Sequence, residues 1–199
     1  MDFGSSSPRT GAPRRGATSA KIVVAGGFGV GKTTLVGSVS EIQPLTTEAV
    51  MTAAAADVDD NAAVPGKNTT TVAMDFGRIT LEDELILYLF GTPGQTRFWF
   101  MWDELVRGAI GAVVLVDTRR LEDSFAAVDY FEESGIPFVV GINGFHGEFR
   151  YAAEEIREAL TIRPQVPIVM CDARARESTK ATLITLVEYA MRAHLGAMR

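Results

Sequence analysis

The run Gly26-Gly27-Phe28-Gly29-Val30-Gly31-Lys32-Thr33 decides how this chain is read. Two glycines bracket a four-residue interval, and Lys-Thr follows at once. Ile22, Val23 and Val24 precede the run as a short buried strand, and residues from Gly31 to about Ser40 read as a helix. A strand, a glycine-rich turn and a helix in that order aim backbone amides at an anion, and the helix adds the positive end of its dipole. In such a turn Lys32 reaches the β and γ phosphates of a nucleotide, and Thr33 meets Mg²⁺ through its hydroxyl. Gly26, Phe28, Gly29, Val30, Gly31, Lys32, Thr33 and Thr34 form the expected nucleotide-binding run.

Outward from this turn, the chain alternates strand and helix. Thr69 to Thr80 reads as a strand with partial alternation (Val72, Met74, Phe76), and Leu85 to Phe90 as a more apolar one. The polar turn around Glu82-Asp83 makes these two an antiparallel pair. Further strands are expected at Ala112 to Val116, Ile136 to Ile142 and Val166 to Met170. Helices are expected at Phe98 to Arg107, Leu121 to Ser134, Ala152 to Leu160 and Ser178 to His194. Such alternation implies a mostly parallel sheet covered on both faces. Residues 1–20 read as a flexible, mildly basic arm, and 21–196 as one domain. Residues 44–68 read as a long loop insertion, since they hold Ala, Thr, Asp and Pro with little apolar period.

Composition excludes several functions. The 199 residues are 47% hydrophobic and 22% charged, as in a soluble globular domain. A net charge of -6 without a basic stripe argues against nucleic-acid binding. The single cysteine, Cys171, leaves no internal disulfide and fits a reducing cytoplasm. The arm has no apolar run, no stretch is long enough to span a membrane, and neither end carries a lipidation pattern. The expected location is therefore cytoplasmic, with any membrane association reached through partners.

Beyond the turn, the chain resembles the Ras-type small GTPases. Thr71-Val72-Ala73-Met74-Asp75-Phe76 is similar to the stretch that opens the second strand of Rab-like members, with Thr69 and Thr70 alongside. The resemblance makes Thr71 the switch I threonine that closes on Mg²⁺ and the γ-phosphate. Gly91-Thr92-Pro93-Gly94-Gln95 resembles the Asp-x-x-Gly-Gln motif of switch II. It implies that Gly94 offers its amide to the γ-phosphate and that Gln95 orients the attacking water. Gly91 stands where the family has a Mg²⁺-holding aspartate, and Asp75 or Asp117 are the available substitutes. Bacterial polarity GTPases of the MglA type share a similar loss. The implied fold is an α/β P-loop NTPase, a small G-protein-like three-layer sandwich. It has a mostly parallel six-stranded sheet and one antiparallel edge strand. The implied cofactors are GTP or GDP with Mg²⁺, and the catalytic set is Gln95, Lys32 and Thr71.

The base-reading motifs depart further from the family. Asn143-Gly144-Phe145-His146 stands in place of Asn-Lys-x-Asp, and Cys171-Asp172-Ala173-Arg174 resembles the Ser-Ala-Lys loop. Asn143, His146, Cys171, Asp172 and Ala173 are thus the expected base contacts. A neutral histidine offers one acceptor nitrogen at most, so His146 cannot copy a carboxylate that accepts two bonds from guanine. Guanine and adenine both remain open at this point, as does a scaffold role without hydrolysis.

The phrases Thr-Thr-Val-Ala-Met-Asp-Phe-Gly and Leu-Phe-Gly-Thr-Pro-Gly-Gln-x-Arg-Phe-Trp-Phe-Met-Trp are similar to the GTPase-like proteins of actinobacterial conservons. That resemblance implies a roadblock-type protein and a sensor-kinase-like protein as partners. Phe98, Trp99, Phe100, Met101 and Trp102 are five consecutive large apolar residues. Successive residues of a helix diverge by ~100°, so one face cannot bury them all. Some meet a partner or the 44–68 segment. Arg78, Arg97 and Arg119 are the arginines considered for stabilising charge during hydrolysis.

Overall fold

The computed structural model describes residues 18–43, 45–51, 70–81, 85–94 and 96–197, with backbone alone at 45–51, 70–73, 96–97 and 197. Its first strand, β1 (Thr18–Gly26), runs into the glycine turn and then into helix α1 (Lys32–Val39). Strands β2 (Leu45–Met51), β3 (Thr70–Leu81) and β4 (Leu85–Gly91) follow. A 3₁₀ turn (Thr96–Met101) leads into the short helix α2 (Trp102–Val106). The remainder is β5 (Ala109–Val116), a 3₁₀ turn (Leu121–Ser124), α3 (Phe125–Ser134), β6 (Phe138–Asn143), a 3₁₀ turn (Phe145–Gly147), α4 (Ala153–Ala159), β7 (Ile168–Cys171) and α5 (Arg176–Ala197).

The sheet has the order β2-β3-β4-β1-β5-β6-β7. β1 pairs in parallel with both β4 and β5, and β6 and β7 continue that direction. β3 runs antiparallel to both of its neighbours. The six expected strands are therefore present, and β2 adds a seventh at the edge. It lies inside the segment expected to be a loop, where Leu45–Met51 pairs residue by residue with Phe76–Thr70. β1 likewise begins at Thr18, three residues inside the expected arm. The aromatic stretch after β4 opens as a 3₁₀ turn rather than as the single helix expected from Phe98 to Arg107.

The central strands are apolar on both faces because helices cover both. Val113 and Leu115 of β5 join Ile22 and Val24 of β1 on the side of α1 and α5, packed with Leu35, Val36, Leu183 and Leu186. Ala112, Val114 and Val116 face the other way with Val23 and Ala25, against Trp102, Val128, Phe131 and Ile156. Each fully buried Val, Leu or Ile contributes about 1.5–3 kcal/mol, so this three-layer packing holds β1 and β5 rigidly side by side. Their carboxyl ends deliver Gly26 and Asp117 to one rim, and β6 adds Asn143. A ligand cleft is expected on that rim, beside a strand with connections leaving in both directions.

Candidate functional site

At the start of the rim, the chain leaves β1 through Gly26 (φ 136°), Gly29 (φ 72°) and Gly31 (φ 109°). Gly31 has a second constraint, since a Cβ there would stand 2.7 Å from Asn143 Nδ2. Only glycine suits both its backbone and its neighbour. Leu35 N donates to Gly31 O at 2.8 Å, which starts α1 and leaves the amides of its first turn without helical partners. Lys32 is 8% exposed and folds back over the turn. Its Nζ donates to Gly26 O at 2.9 Å and to Gly27 O at 2.8 Å. Burial pulls the ammonium down to about 8, partly opposed by the Asp75 carboxylate. Gly94 closes over it, because a Cβ at 94 would lie 2.7 Å from Lys32 Nζ and 2.9 Å from Phe28 Cα.

Beside the lysine, Thr33 Oγ1 donates to Asp75 Oδ2 at 2.7 Å. Asp75 of β3 is paired with Gly91 of β4. A Cβ at Gly91 would be 2.9 Å from both Cβ and Oδ2 of Asp75. The carboxylate missing at position 91 is thus replaced in space by one from the adjoining strand. Asp117 is committed elsewhere. It accepts from Arg119 N at 3.0 Å, Nε at 2.9 Å and Nη2 at 2.8 Å, and these bonds hold its carboxyl below the usual range. Of the two carboxylates left open by the sequence, Asp75 is the one that lies beside Thr33. A hydroxyl beside a carboxylate supplies hard oxygen donors, which fit Mg²⁺ when phosphate and water complete its shell. Thr71 lies on the β3 backbone, but its side chain falls outside the described residues, as does Gln95 entirely.

Toward β6 and β7 the arrangement differs. Asn143, 7% exposed, donates from Nδ2 to Val30 O at 2.9 Å and accepts at Oδ1 from Ala173 N at 3.1 Å. Its amide ties the glycine turn to the loop after β7. The Ala173 amide, expected at a base oxygen, is therefore engaged with Asn143. Cys171 contributes no thiol to the rim, because its side chain is wholly buried in the α1/α5 core and burial pushes the thiol up. Its carbonyl accepts from Gly144 N at 2.8 Å. Asp172 accepts from Arg174 N at 3.0 Å and from its Nε and Nη2, each at 3.1 Å, which lowers its carboxyl. Arg174 Nη1 also lies 3.2 Å from His146 Nδ1. His146 itself has a left-handed backbone, φ 61°.

A cavity of about 160 Å³ opens between Asp117–Arg119 and Asn143–Arg150, with Phe145 and His146 on its wall. The Arg119 guanidinium stacks on Phe145 at 3.7 Å from the ring centre. A Cβ on Gly144 would meet the Phe149 ring at 2.5 Å, so that ring fills the volume a side chain at 144 would need. Sequence reasoning missed this contact, which joins residues five apart through an irregular loop. Of the aromatic run, Phe98 and Trp102 are buried while Trp99 and Phe100 are exposed. Trp99 and Trp102 line a second cavity of about 200 Å³, together with Gly27, Phe28, Gly94 and Asp123.

Residues 24–193 match the model of a family described as conserved hypothetical ATP binding proteins. The chain belongs to this family. The match begins within β1 and ends within α5, so it contains every site residue named above. The uncharacterized protein MJ1339 of Methanocaldococcus jannaschii is 32% identical over 125 residues, which are 62% of this chain and 68% of that protein. Among solved structures, the G domain of the T. maritima FeoB iron transporter superposes with a TM-score of 0.60 at 20% identity, over 87% of this chain and 99% of that one. The FeoB G-domain of Methanococcus jannaschii gives 0.58 at 13% identity, over 87% and 98%. The longer cytosolic domain of T. maritima FeoB gives 0.61 at 19% identity, and this chain spans 64% of its length. At such identities the likeness is one of fold: this family member is a P-loop protein with the architecture of a G domain. Among its described residues, no helix is long and apolar enough to cross a membrane.

Proposed function

We propose that this chain is a GTP-binding switch that hydrolyses its nucleotide slowly with Mg²⁺, acting in a bacterial signalling complex. The observation that carries the reading is the cluster of Lys32, Thr33 and Asp75 at the glycine turn. Lys32 exchanges two backbone carbonyls for phosphate oxygens, turning neutral acceptors into charged ones. Thr33 and Asp75 would hold Mg²⁺, which when bound would supply positive charge against the phosphates. Gly94 sits close enough to Lys32 to give its amide to a γ-phosphate. Thr71 and Gln95 keep the roles that the small-GTPase resemblance gives them, closing on the γ-phosphate and orienting water. Hydrolysis would release the segments that the γ-phosphate holds.

A second reading, an ATP-using protein, is favoured by the base end. The guanine-reading carboxylate is replaced by His146, Asp172 is engaged by Arg174, and the family's description names ATP. Titration with labelled GDP, GTP, ADP and ATP separates the two readings, and ADP bound as tightly as GDP would reject the guanine assignment. Phosphate release by wild type against Lys32→Ala tests turnover. No release above that control, with partner present, leaves a nucleotide-binding scaffold.

The partners proposed are a roadblock-type protein and a sensor-kinase-like protein, by resemblance to conservon GTPase-like proteins. Exposed Trp99 and Phe100, next to switch II, offer them a surface. Recovery of such a partner equally from GDP-loaded and GTP-loaded protein would count against this surface being an effector face. The proposed location is cytoplasmic, with membrane contact made through partners.

A further inference from the structure

We infer that Arg120, a residue outside every motif of the sequence, is the chain's own charge-stabilising arginine for phosphoryl transfer. The inference rests on the hydrolytic reading above. Among the arginines considered from sequence, Arg119 is locked. Two side-chain bonds fasten it to buried Asp117, and its face is stacked on Phe145. Arg78 lies on β3, with its amide bonded to Ser40 at the far end of α1. The side chain of Arg97 lies outside the described residues.

Arg120 instead stands at the glycine turn itself. Its Nη2 donates to Phe28 O at 2.6 Å. Phe28 is at the end of the turn that meets Gly94 and the Lys32 ammonium, where a γ-phosphate would lie. Among the described residues, the nearest carboxylates are 3.4 Å away at Asp123 and 3.8 Å away at Asp117, and the side chain is 45% exposed. The exposed pair with Asp123 holds weakly, and 3.8 Å to buried Asp117 is too long for a hydrogen bond, so the guanidinium can exchange both for a better anion. Gly29 leaves the way across the turn open. Its position for a Cβ is 3.3 Å from Arg120 Nη2, and its φ of +72° disfavours any side chain there. A rotation within the arginine side chain then brings its planar fork over the phosphate end of the turn. There it meets charge that grows on the oxygens of the transferring phosphoryl group as water bonds to phosphorus and the bond to the diphosphate oxygen breaks.

The test compares wild type, Arg120→Ala and Arg120→Lys. It measures steady-state phosphate release and the binding of whichever diphosphate the wild type takes, GDP or ADP, with Mg²⁺ and with or without aluminium fluoride. Arg120→Ala is expected to keep diphosphate affinity within about threefold. Its turnover falls by about 10³, the lower end of the ~10³–10⁵ that such an arginine contributes whether it comes from the chain itself or from a partner. The tightening caused by aluminium fluoride disappears with it. Arg120→Lys keeps the charge without the fork and recovers less than a tenth of the turnover. Equal weakening of diphosphate and aluminium fluoride complexes would mean that Arg120 only braces the turn, and would overturn the inference. Unchanged turnover in Arg120→Ala beside an active wild type overturns the arginine's role alone. A wild type that binds diphosphate, releases no phosphate and gains nothing from aluminium fluoride overturns the hydrolytic reading and this inference together.

Discussion

At one end of the rim, Gly26–Thr33 builds its grip from backbone amides and a buried lysine. At the other, Asn143–Arg174 builds its wall from a buried amide bonded to backbone and from the paired side chains of Asp172 and Arg174. The first end holds the Lys32 ammonium on two backbone carbonyls, neutral acceptors that an incoming anion can replace. The second has already consumed its polar groups: Asp172 with Arg174, Asn143 with Val30 and Ala173. The contrast teaches that affinity should come from phosphate and metal, while the base end sets register and gives less discrimination.

The contrast breaks most severely at Lys32. Lys32→Ala removes the buried cation opposite the phosphates, and triphosphate affinity is expected to fall by roughly a thousandfold, the scale of losing one partner of a buried pair. Equilibrium titration checks this. Next is the metal pair. Asp75→Gly should weaken Mg²⁺-dependent nucleotide binding by about a hundredfold, as expected when a charged ligand is lost. Since Asp75 and position 91 compete for one volume, the double variant Asp75→Gly/Gly91→Asp should regain much of that loss in an Mg²⁺ titration. Recovery no better than Asp75→Gly alone would show that strand position, and not the carboxylate, matters.

Asn143 links the two ends, so Asn143→Ala should cost stability at both. Two hydrogen bonds of a buried amide are lost, worth about 1–3 kcal/mol together, read as a lower denaturant midpoint. A smaller effect follows from pH. Lys32 is depressed to about 8, so the free protein loses that proton as pH rises through this value. Bound phosphates favour the charged form, hence binding takes up a proton and affinity falls as the solution becomes more alkaline. Between pH 7 and pH 9 the loss should be about tenfold, and Lys32→Ala should abolish the slope. The smallest expected change is at the base end. Arg174→Ala frees Asp172 and should shift the GDP-to-ADP preference by only about threefold, the scale of one exposed interaction.

The phosphate end was legible in the sequence because its signal is local. Eight consecutive residues encode the turn, and the strand and helix beside it carry their own apolar patterns. The alternation of Ile22–Ala25 and Ala112–Val116 between two helical layers likewise follows from runs that stay apolar on both faces. What escaped was non-local. Leu45–Met51 has three polar residues in seven and no clear period, so it reads as loop until β3 is there to pair with it. The substitution of Asp75 for a residue at 91 depends on the β3–β4 register, which places two residues sixteen apart side by side. Arg120 was overlooked because only the fold carries the 117–124 loop against Phe28. In the aromatic run, the division into buried Phe98 and Trp102 and exposed Trp99 and Phe100 was foreseeable in kind, since no single face takes consecutive residues. Which ones lie inside depended on the 3₁₀ turn that precedes α2.

The most direct test of the account displaces labelled GTP with inorganic tripolyphosphate in the presence of Mg²⁺, in wild type and in Lys32→Ala. A grip centred on the glycine turn predicts that tripolyphosphate, which has no base, displaces GTP from the wild type at concentrations within about tenfold to a hundredfold of those at which GTP itself does. It also predicts that Lys32→Ala weakens both ligands together, by about the thousandfold given above. Displacement by guanosine but not by tripolyphosphate, or GTP binding that survives Lys32→Ala unchanged, would contradict it.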